Sequence, residues 1–98
     1  MKVVFTAEAR ADLFDSVAYY EFREAGLGSR FRDEIAAVLQ SASASPLLWR
    51  ERPGGFRRIN CPVFTHYVAY VIRGESLVVI AIAHGHREPG FWKDRLKG

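Results

Sequence analysis

The 98-residue sequence has one cysteine, four prolines and no long apolar run. Cys61 therefore has no partner for an internal disulfide, and such sparse use of cysteine is typical of a reducing cytoplasm. The longest apolar run, residues 77–83, has the length of a strand and falls well short of the roughly 18 residues of a membrane span. Charged residues follow Met1 closely, so we expect no signal peptide. These features predict a cytoplasmic protein without a membrane segment.

Common catalytic and metal-binding motifs are also missing. The sequence has no glycine-rich phosphate loop, no paired-carboxylate pattern and no Ser-His-Asp arrangement. His84 and His86 are two positions apart and could begin a zinc site, but zinc requires further ligands. The remaining soft candidates, Cys61 and His66, match no zinc spacing. We therefore expect neither a metal nor a cofactor.

Positive charge is concentrated in the second half of the chain. Residues 1–49 carry five Lys or Arg and seven Asp or Glu, whereas residues 50–98 carry nine and four, within a net charge of +3. A basic face favours an anionic partner, either a nucleic acid or an acidic protein segment. An ordinary solvated surface would explain a charge this small equally well.

The first half of the chain has the periodicity of two helices. A short strand at residues 3–5 precedes Thr6, a residue type favoured at helix N-caps. The first helix has an apolar face, and Gly26 and Gly28 are expected to end it. The second helix should run from about Ser29 to a point before Pro46. The apolar positions of the two helices are Leu13, Val17, Tyr20, Phe31, Ile35, Val38, Leu39 and Ala42.

After Pro46 the apolar period changes to two, which indicates strands. We expect strands at residues 56–60, 63–73 and 77–84, with a hairpin turn at residues 73–76. The last strand is apolar on both faces and should lie centrally, covered by helices on one side and by long side chains or a partner on the other. The predicted fold is a single α+β domain over residues 1–98, with β-α-α-β-β-β order and a two-helix hairpin packed on a mostly antiparallel four-stranded sheet.

The residues that could carry chemistry follow the last strand or lie on the strand at residues 56–60, which the meander could bring near the end of the last strand. Arg57, Arg58 and Arg87, followed by Lys93 and Arg95, are candidates for binding phosphate, because cations, and above all the planar fork of arginine, match its oxygens. Arg57 and Arg58 alternate along a strand, so at most one of them can share a given site. The alternative for these cations is salt bridging at the surface.

The histidines and aromatic residues of the same region each have two interpretations. His84 is either a strand-end imidazole bonded to the backbone or a proton carrier near neutral pH. Phe91 and Trp92 could stack on a partner, but the sequence favours Trp92 folding back over the core.

Several short motifs follow one another along the chain: Val3-Val4-Phe5-Thr6, Ala9-Arg10-Ala11-Asp12-Leu13, Phe31 with Ile35, Arg57-Arg58, Tyr67 with Tyr70, and residues 80–95. In the order and spacing of these motifs, the chain resembles the RelE/ParE family of toxins from bacterial type II toxin–antitoxin pairs. The resemblance is nearly end to end.

The resemblance implies an acidic, partly disordered antitoxin that wraps the toxin and binds operator DNA, so that the toxin meets that DNA only through it. Two targets are open. RelE-like members cut mRNA on the ribosome, which here would use Arg57 or Arg58 with Arg87 on the phosphate and His84 or His86 as acid or base. RelE-like enzymes usually also have a tyrosine, or a His-Tyr pair, near the C-terminus, where this chain has Phe91-Trp92.

ParE-like members inhibit DNA gyrase through a protein–protein contact and need no catalytic residues. The missing tyrosine favours this branch. Phe91, Trp92, Lys93 and Arg95 would then contact the target or the antitoxin. A third interpretation is an inactive small protein-binding domain.

Overall fold

The computed structural model describes residues 1–87 and 90–97. Two long helices are followed by three strands and a short helical tail, and the first strand precedes them all. The elements are β1 (Lys2–Phe5), α1 (Ala7–Arg23), α2 (Leu27–Ala44), β2 (Arg57–Asn60), β3 (His66–Arg73), β4 (Ser76–His84), α3 (Gly90–Lys93) and a 3₁₀ turn (Asp94–Lys97).

The four strands form one mixed sheet in the order β1-β4-β3-β2. β2 and β3 pair antiparallel, β3 and β4 pair antiparallel, and β1 pairs parallel with β4. The predicted α+β fold, with a helical hairpin on a mostly antiparallel sheet, is confirmed. β4 is central, as its apolar sequence indicated. No helix within the described part of the chain is long and apolar enough to cross a bilayer.

The helix boundaries depend on hydrogen bonds at the helix ends. Thr6 is the N-cap of α1, because its Oγ1 accepts a 3.0 Å bond from the Ala9 amide. The Glu21 carboxylate accepts bonds from the amides of Gly26 and Gly28, at 2.9 and 3.0 Å. These bonds satisfy orphan donors at the start of α2, which begins at Leu27 rather than near Ser29.

The expectation that Gly26 and Gly28 end the first helix is therefore wrong for Gly28, which lies inside α2. A Cβ at Gly28 would come within 2.6 Å of the Val17 carbonyl oxygen, so only glycine allows α1 and α2 to cross this closely. Gly26, with φ +87°, makes the turn between the helices.

β2 and β3 are shorter at their starts than the apolar period predicts, whereas β1 and β4 each begin one residue earlier than predicted. β3 begins at His66 instead of residue 63, because Glu34 of α2 accepts bonds from the amides of Val63 and Phe64, at 3.1 and 2.9 Å. These backbone donors consequently bond to a side chain and not to the sheet. Phe56 precedes β2 and forms an isolated bridge with Arg52.

Each face of the sheet has its own hydrophobic core. The helices cover one face, where buried side chains from α2 meet Ile59, Val68, Tyr70, Val79 and Ile82. On the other face, the C-terminal tail covers a cluster of Phe56, Tyr67, Ala69, Val71, Ile80, Ala81, Ala83 and Trp92. The predicted alternation along β3 is confirmed, and the second face is covered by the chain's own tail.

A β-bulge at Ile80 interrupts the pairing of β3 with β4. Tyr70 pairs with Val79 and Ala69 pairs with Ala81, so Ile80 has no opposite residue. Ile80 and Ala81 consequently both lie on the tail side of the sheet. Beyond this point the register is shifted by one residue. This shift determines which residue of β3 lies opposite His84 at the end of β4.

Candidate functional site

A cleft opens where β3 and β4 meet the outer side of α1. It has a volume of about 690 Å³ and is lined by Asp15, Ser16, Tyr19, Tyr20, Arg23, Leu27, Thr65, His66, His84 and Arg87. A smaller cavity of about 160 Å³ adjoins it and shares His66, His84 and Arg87. Two of the residues predicted from the sequence, His84 and Arg87, therefore meet here.

Two histidines face each other at the end of the sheet. His66 and His84 are register partners on β3 and β4, and their ring centroids are 5.2 Å apart. Tyr20 of α1 bonds to His66 Nδ1 through its hydroxyl at 3.2 Å. His66 was not predicted as a site residue, because the sequence shows it only as an isolated imidazole on a buried strand.

The orientation of His84 is determined by its two hydrogen bonds. The His86 amide donates to His84 Nδ1 at 3.1 Å, so the neutral ring carries its proton on Nε2. Nε2 lies 3.0 Å from Thr65 Oγ1. This imidazole is therefore bonded to the backbone, as one of its two interpretations from the sequence expected, while the residue itself is exposed.

Burial keeps the inner part of the cleft uncharged. Burial, with a smaller contribution from the nearby His84, lowers the pKa of His66 to about 4. Burial also raises the pKa of the Tyr20 hydroxyl, an effect partly offset by the Thr65 side chain. Asp15, Arg23 and Arg87 also line the cleft, and all three are exposed.

Arg87 is placed by local contacts just after β4. Its backbone amide donates to the His84 carbonyl oxygen at 3.0 Å, which closes a turn. Its guanidinium lies over the Phe91 ring, 4.0 Å from the centroid. The side chain is exposed, so a held but accessible cation stands beside His84.

Arg57 and Arg58 do not join this cleft. They point to opposite faces of β2, as predicted. Arg57 Nη1 donates to the Trp49 carbonyl oxygen at 2.6 Å on the helix side. Arg58 lies on the tail side, with its guanidinium 3.8 Å from the Tyr67 ring centroid and its Nε bonded to Asn60 Oδ1 at 3.0 Å. The structure thus separates both residues from His84 and Arg87.

The tail residues have several different environments. Trp92 is 1% exposed, and its Nε1 donates to the Tyr67 hydroxyl at 2.6 Å, which confirms that it folds back over the core. Arg95 is bound internally by Asp12, with a shortest separation of 2.7 Å. Phe91 is half-buried beneath Arg87, while Lys93 and His86 are exposed.

Cys61 lacks the properties of a nucleophile. Burial, with a contribution from the nearby Glu34 carboxylate, raises the pKa of its thiol to about 12. The thiolate is the reactive and metal-binding form, and it is not populated at neutral pH. Among residues 1–87 and 90–97, no three His, Cys, Asp or Glu side chains are grouped to hold a metal ion.

A family model described as "ParE toxin of type II toxin-antitoxin system, parDE" matches residues 3–89. The chain belongs to this ParE toxin family. The predicted relationship to RelE/ParE toxins is confirmed. The family match includes the cleft residues His66, His84 and Arg87, and it ends before Phe91 and Trp92.

Two solved structures share the fold of this ParE-family chain. One, from the chromosomal ParDE TA system of P. aeruginosa, has 16% identity and a TM-score of 0.76, covering 86% of this chain and 95% of that one. The other is the isolated E. coli RelE toxin, with 18% identity and a TM-score of 0.63, covering 92% and 89%. No curated protein matches the chain at a significant level. Because the ParDE and RelE structures share this architecture, the fold alone does not identify the target.

Proposed function

We propose that this ParE-family toxin arrests bacterial growth by binding DNA gyrase, and that a cognate acidic antitoxin neutralises it in the cytoplasm. The observation that carries this proposal is the separation of the predicted phosphate-binding arginines. Arg57 is bonded to Trp49 on one face of β2, and Arg58 stacks on Tyr67 on the other. Neither lines the cleft that holds His84 and Arg87. A protein–protein contact does not require these arginines to lie together in one site.

Exposed apolar side chains on α1 support a function in protein binding. Phe14 and Phe22 are 65% and 94% exposed, and exposed Ala18 lies between them at spacings of four residues. Residues spaced in this way share one face of a helix. An apolar stripe of this kind suits an antitoxin segment that folds on binding, since wrapping segments of this type cover large surfaces. Contact with operator DNA would then come through the antitoxin.

A second candidate function is ribosome-dependent cleavage of mRNA, and one feature of the cleft supports it. Arg87 stands beside two imidazoles, one of which, His84, is exposed and oriented by hydrogen bonds. Attack of a ribose 2′-hydroxyl on the adjacent phosphate needs a base, an acid and a cation for the developing charge. In this alternative Arg87 would stabilise the phosphate, and His84 would carry a proton, with His86 as a second exposed imidazole at 5.2 Å between ring centroids.

Two assays run on the same protein separate the candidates. The first measures supercoiling of relaxed plasmid by gyrase, and the second measures primer extension on mRNA programmed into ribosomes. We expect inhibition of gyrase and no new cuts in the mRNA. Arg87→Ala should weaken growth arrest about tenfold or more, by analogy with loss of a charged contact at an interface.

Arg73→Ala is the matched control, because Arg73 is an exposed arginine at the opposite end of the β3–β4 pair. It should leave growth arrest unchanged. Cuts confined to ribosomal A-site codons, and lost in Arg87→Ala, would overturn the gyrase proposal in favour of the ribonuclease.

A further inference from the structure

A second, basic pocket lies on the tail side of the sheet, and it shares no lining residue with the histidine cleft. Its volume is about 210 Å³. Buried Phe56 and Trp92 form its apolar part, and four cations surround them: Arg50, Arg52, Arg58 and Lys93.

The described residues of this pocket carry positive charge only. Among residues 1–87 and 90–97, no carboxylate lines the pocket and none of its four cations is in an ion pair. Like charges held close together repel one another, and an anion placed among them removes that repulsion. The electrostatics therefore point to an anionic ligand.

Arg52 adds an independent observation. Its Nε is buried and has no hydrogen-bond partner within the described part of the chain. Buried donors are almost always paired in folded proteins, so this unpaired donor, on a residue that lines the basic pocket, supports a ligand-binding role for Arg52. The backbone of Arg52 is held in place, because its amide donates to the Phe56 carbonyl at 2.8 Å and its carbonyl accepts from Gly55 at 2.9 Å.

Arg58 also lines this pocket, and its side chain is held in place. Its guanidinium stacks on the Tyr67 ring, and its Nε donates to Asn60. Within the described part of the chain its two terminal nitrogens have no hydrogen-bond partner, and a carboxylate suits their geometry. The Arg58 guanidinium is thus positioned before any ligand arrives.

The surroundings favour a carboxylate side chain over a nucleic-acid backbone. Binding of nucleic acid needs several phosphate contacts along a track of cations. The cations next in sequence to this pocket do not extend it, because Arg57 is bonded to Trp49 and Arg95 is paired with Asp12. A glutamate would instead lay its methylene groups on Phe56 and Trp92 and reach the arginines with its carboxylate.

We propose that this pocket binds an Asp or Glu side chain from an acidic partner segment. The identity of that partner as the antitoxin rests on the proposed function, whereas the pocket's preference for a carboxylate does not. The pocket would act as an anchor point, distinct from the apolar stripe on α1.

Fluorescence anisotropy of the full chain with a labelled peptide of six glutamates tests the proposal. A peptide of six glutamines and a short single-stranded RNA of matched charge are the comparison probes. Arg52→Lys retains the charge but removes the guanidinium with its Nε donor, so it should weaken binding of the glutamate peptide about tenfold. Lys93→Gln, at an exposed position, should weaken it about threefold.

Arg32→Gln is the control, since it removes one charge from an exposed site on α2. Less than a twofold change is expected there. The proposal is overturned if Arg32→Gln weakens binding as much as Arg52→Lys, or if RNA binds more tightly than the peptide and with the same dependence on Arg52. The gyrase assay contains no peptide, so a lack of gyrase inhibition would refute only the proposal that gyrase is the target. A lack of peptide binding would refute only the proposal that this pocket binds a carboxylate.

Discussion

Asp12 of α1 and Arg95 of the C-terminal tail form an ion pair across 83 positions of sequence, with Nη1–Oδ2 and Nη2–Oδ1 separations of 2.7 and 3.3 Å. Beyond the end of β1, the same two side chains form hydrogen bonds with the backbone of β4. Arg95 donates to the Ile80 carbonyl at 3.0 Å, and Asp12 accepts from the Ile82 amide at 3.1 Å. One ion pair thus joins the first helix, the bulge and the tail.

Asp12→Asn should lower the free energy of unfolding by about 2 kcal/mol, because it leaves the Arg95 charge partly buried without its counterion. Urea denaturation measures this change. Glu24→Gln is the matched control, since Glu24 forms an exposed pair with Arg30 at 3.7 Å and should lose less than about 0.5 kcal/mol. Equal losses in the two variants would show that the Asp12–Arg95 pair has no special role in stability.

Trp92→Phe should destabilise the fold by about 2 kcal/mol, because it shrinks a buried ring and leaves the Tyr67 hydroxyl without its donor. The ring also packs edge-on against Phe56, with centroids 4.8 Å apart. Thermal or urea unfolding reports the loss. Trp49→Phe, at a half-buried position on the helix side, should cost about 1 kcal/mol or less. If Trp49→Phe proves the more damaging change, the tail does not contribute the stability assigned to it.

His66 should make the fold sensitive to acid. The pKa of this imidazole is about 4 in the folded chain and 6.5 in the unfolded chain, so between these values the unfolded state binds more protons. The stability that depends on neutral His66 is therefore complete above pH 6.5 and is lost as the pH falls towards 4. The loss is about 3 kcal/mol at most.

Urea unfolding across this pH range measures the effect, and His66→Gln should flatten the dependence. His86→Gln is the control, because this exposed ring should leave the pH profile unchanged. An NMR titration that places the His66 pKa near its ordinary value would contradict the prediction.

Phe22→Glu should prevent neutralisation by the antitoxin while leaving the stability of the toxin within about 0.5 kcal/mol of the parent, since the ring is 94% exposed. Co-expression with the acidic open reading frame expected beside the toxin gene measures the rescue of growth. Val63→Glu, at another exposed apolar side chain, serves as the control. Full rescue in Phe22→Glu would show that the antitoxin does not use the stripe on α1.

Local patterns in the sequence determined much of the architecture. Helical and alternating periods predicted both helices and the order of the strands, because each element must bury one face or both. Thr6 predicted the start of α1 through N-capping, and alternation alone placed Arg57 and Arg58 on opposite faces of β2. Trp92 was correctly interpreted as a core residue, since a large ring next to an apolar strand gains most by burial.

Only the tertiary structure decided the composition of the cleft. The hairpin pairs Arg73 with Ser76. If this register continued without interruption along the two strands, His66 would lie opposite Ala83. The bulge at Ile80 shifts the register by one residue and brings His84 opposite His66 instead. A one-residue shift moves a side chain to the other face of the sheet, so no local pattern predicts this pair.

The partners of the cations were also decided by the tertiary structure. Arg57, Arg58, Arg87 and Arg95 are equivalent cations in the sequence, yet the fold gives them a carbonyl, a tyrosine ring, a phenylalanine ring and a carboxylate, respectively. Arg95 meets Asp12 only because the tail crosses the sheet and returns to α1. Long-range contacts of this kind depend on how the packed layers meet, which the period of a single segment does not encode.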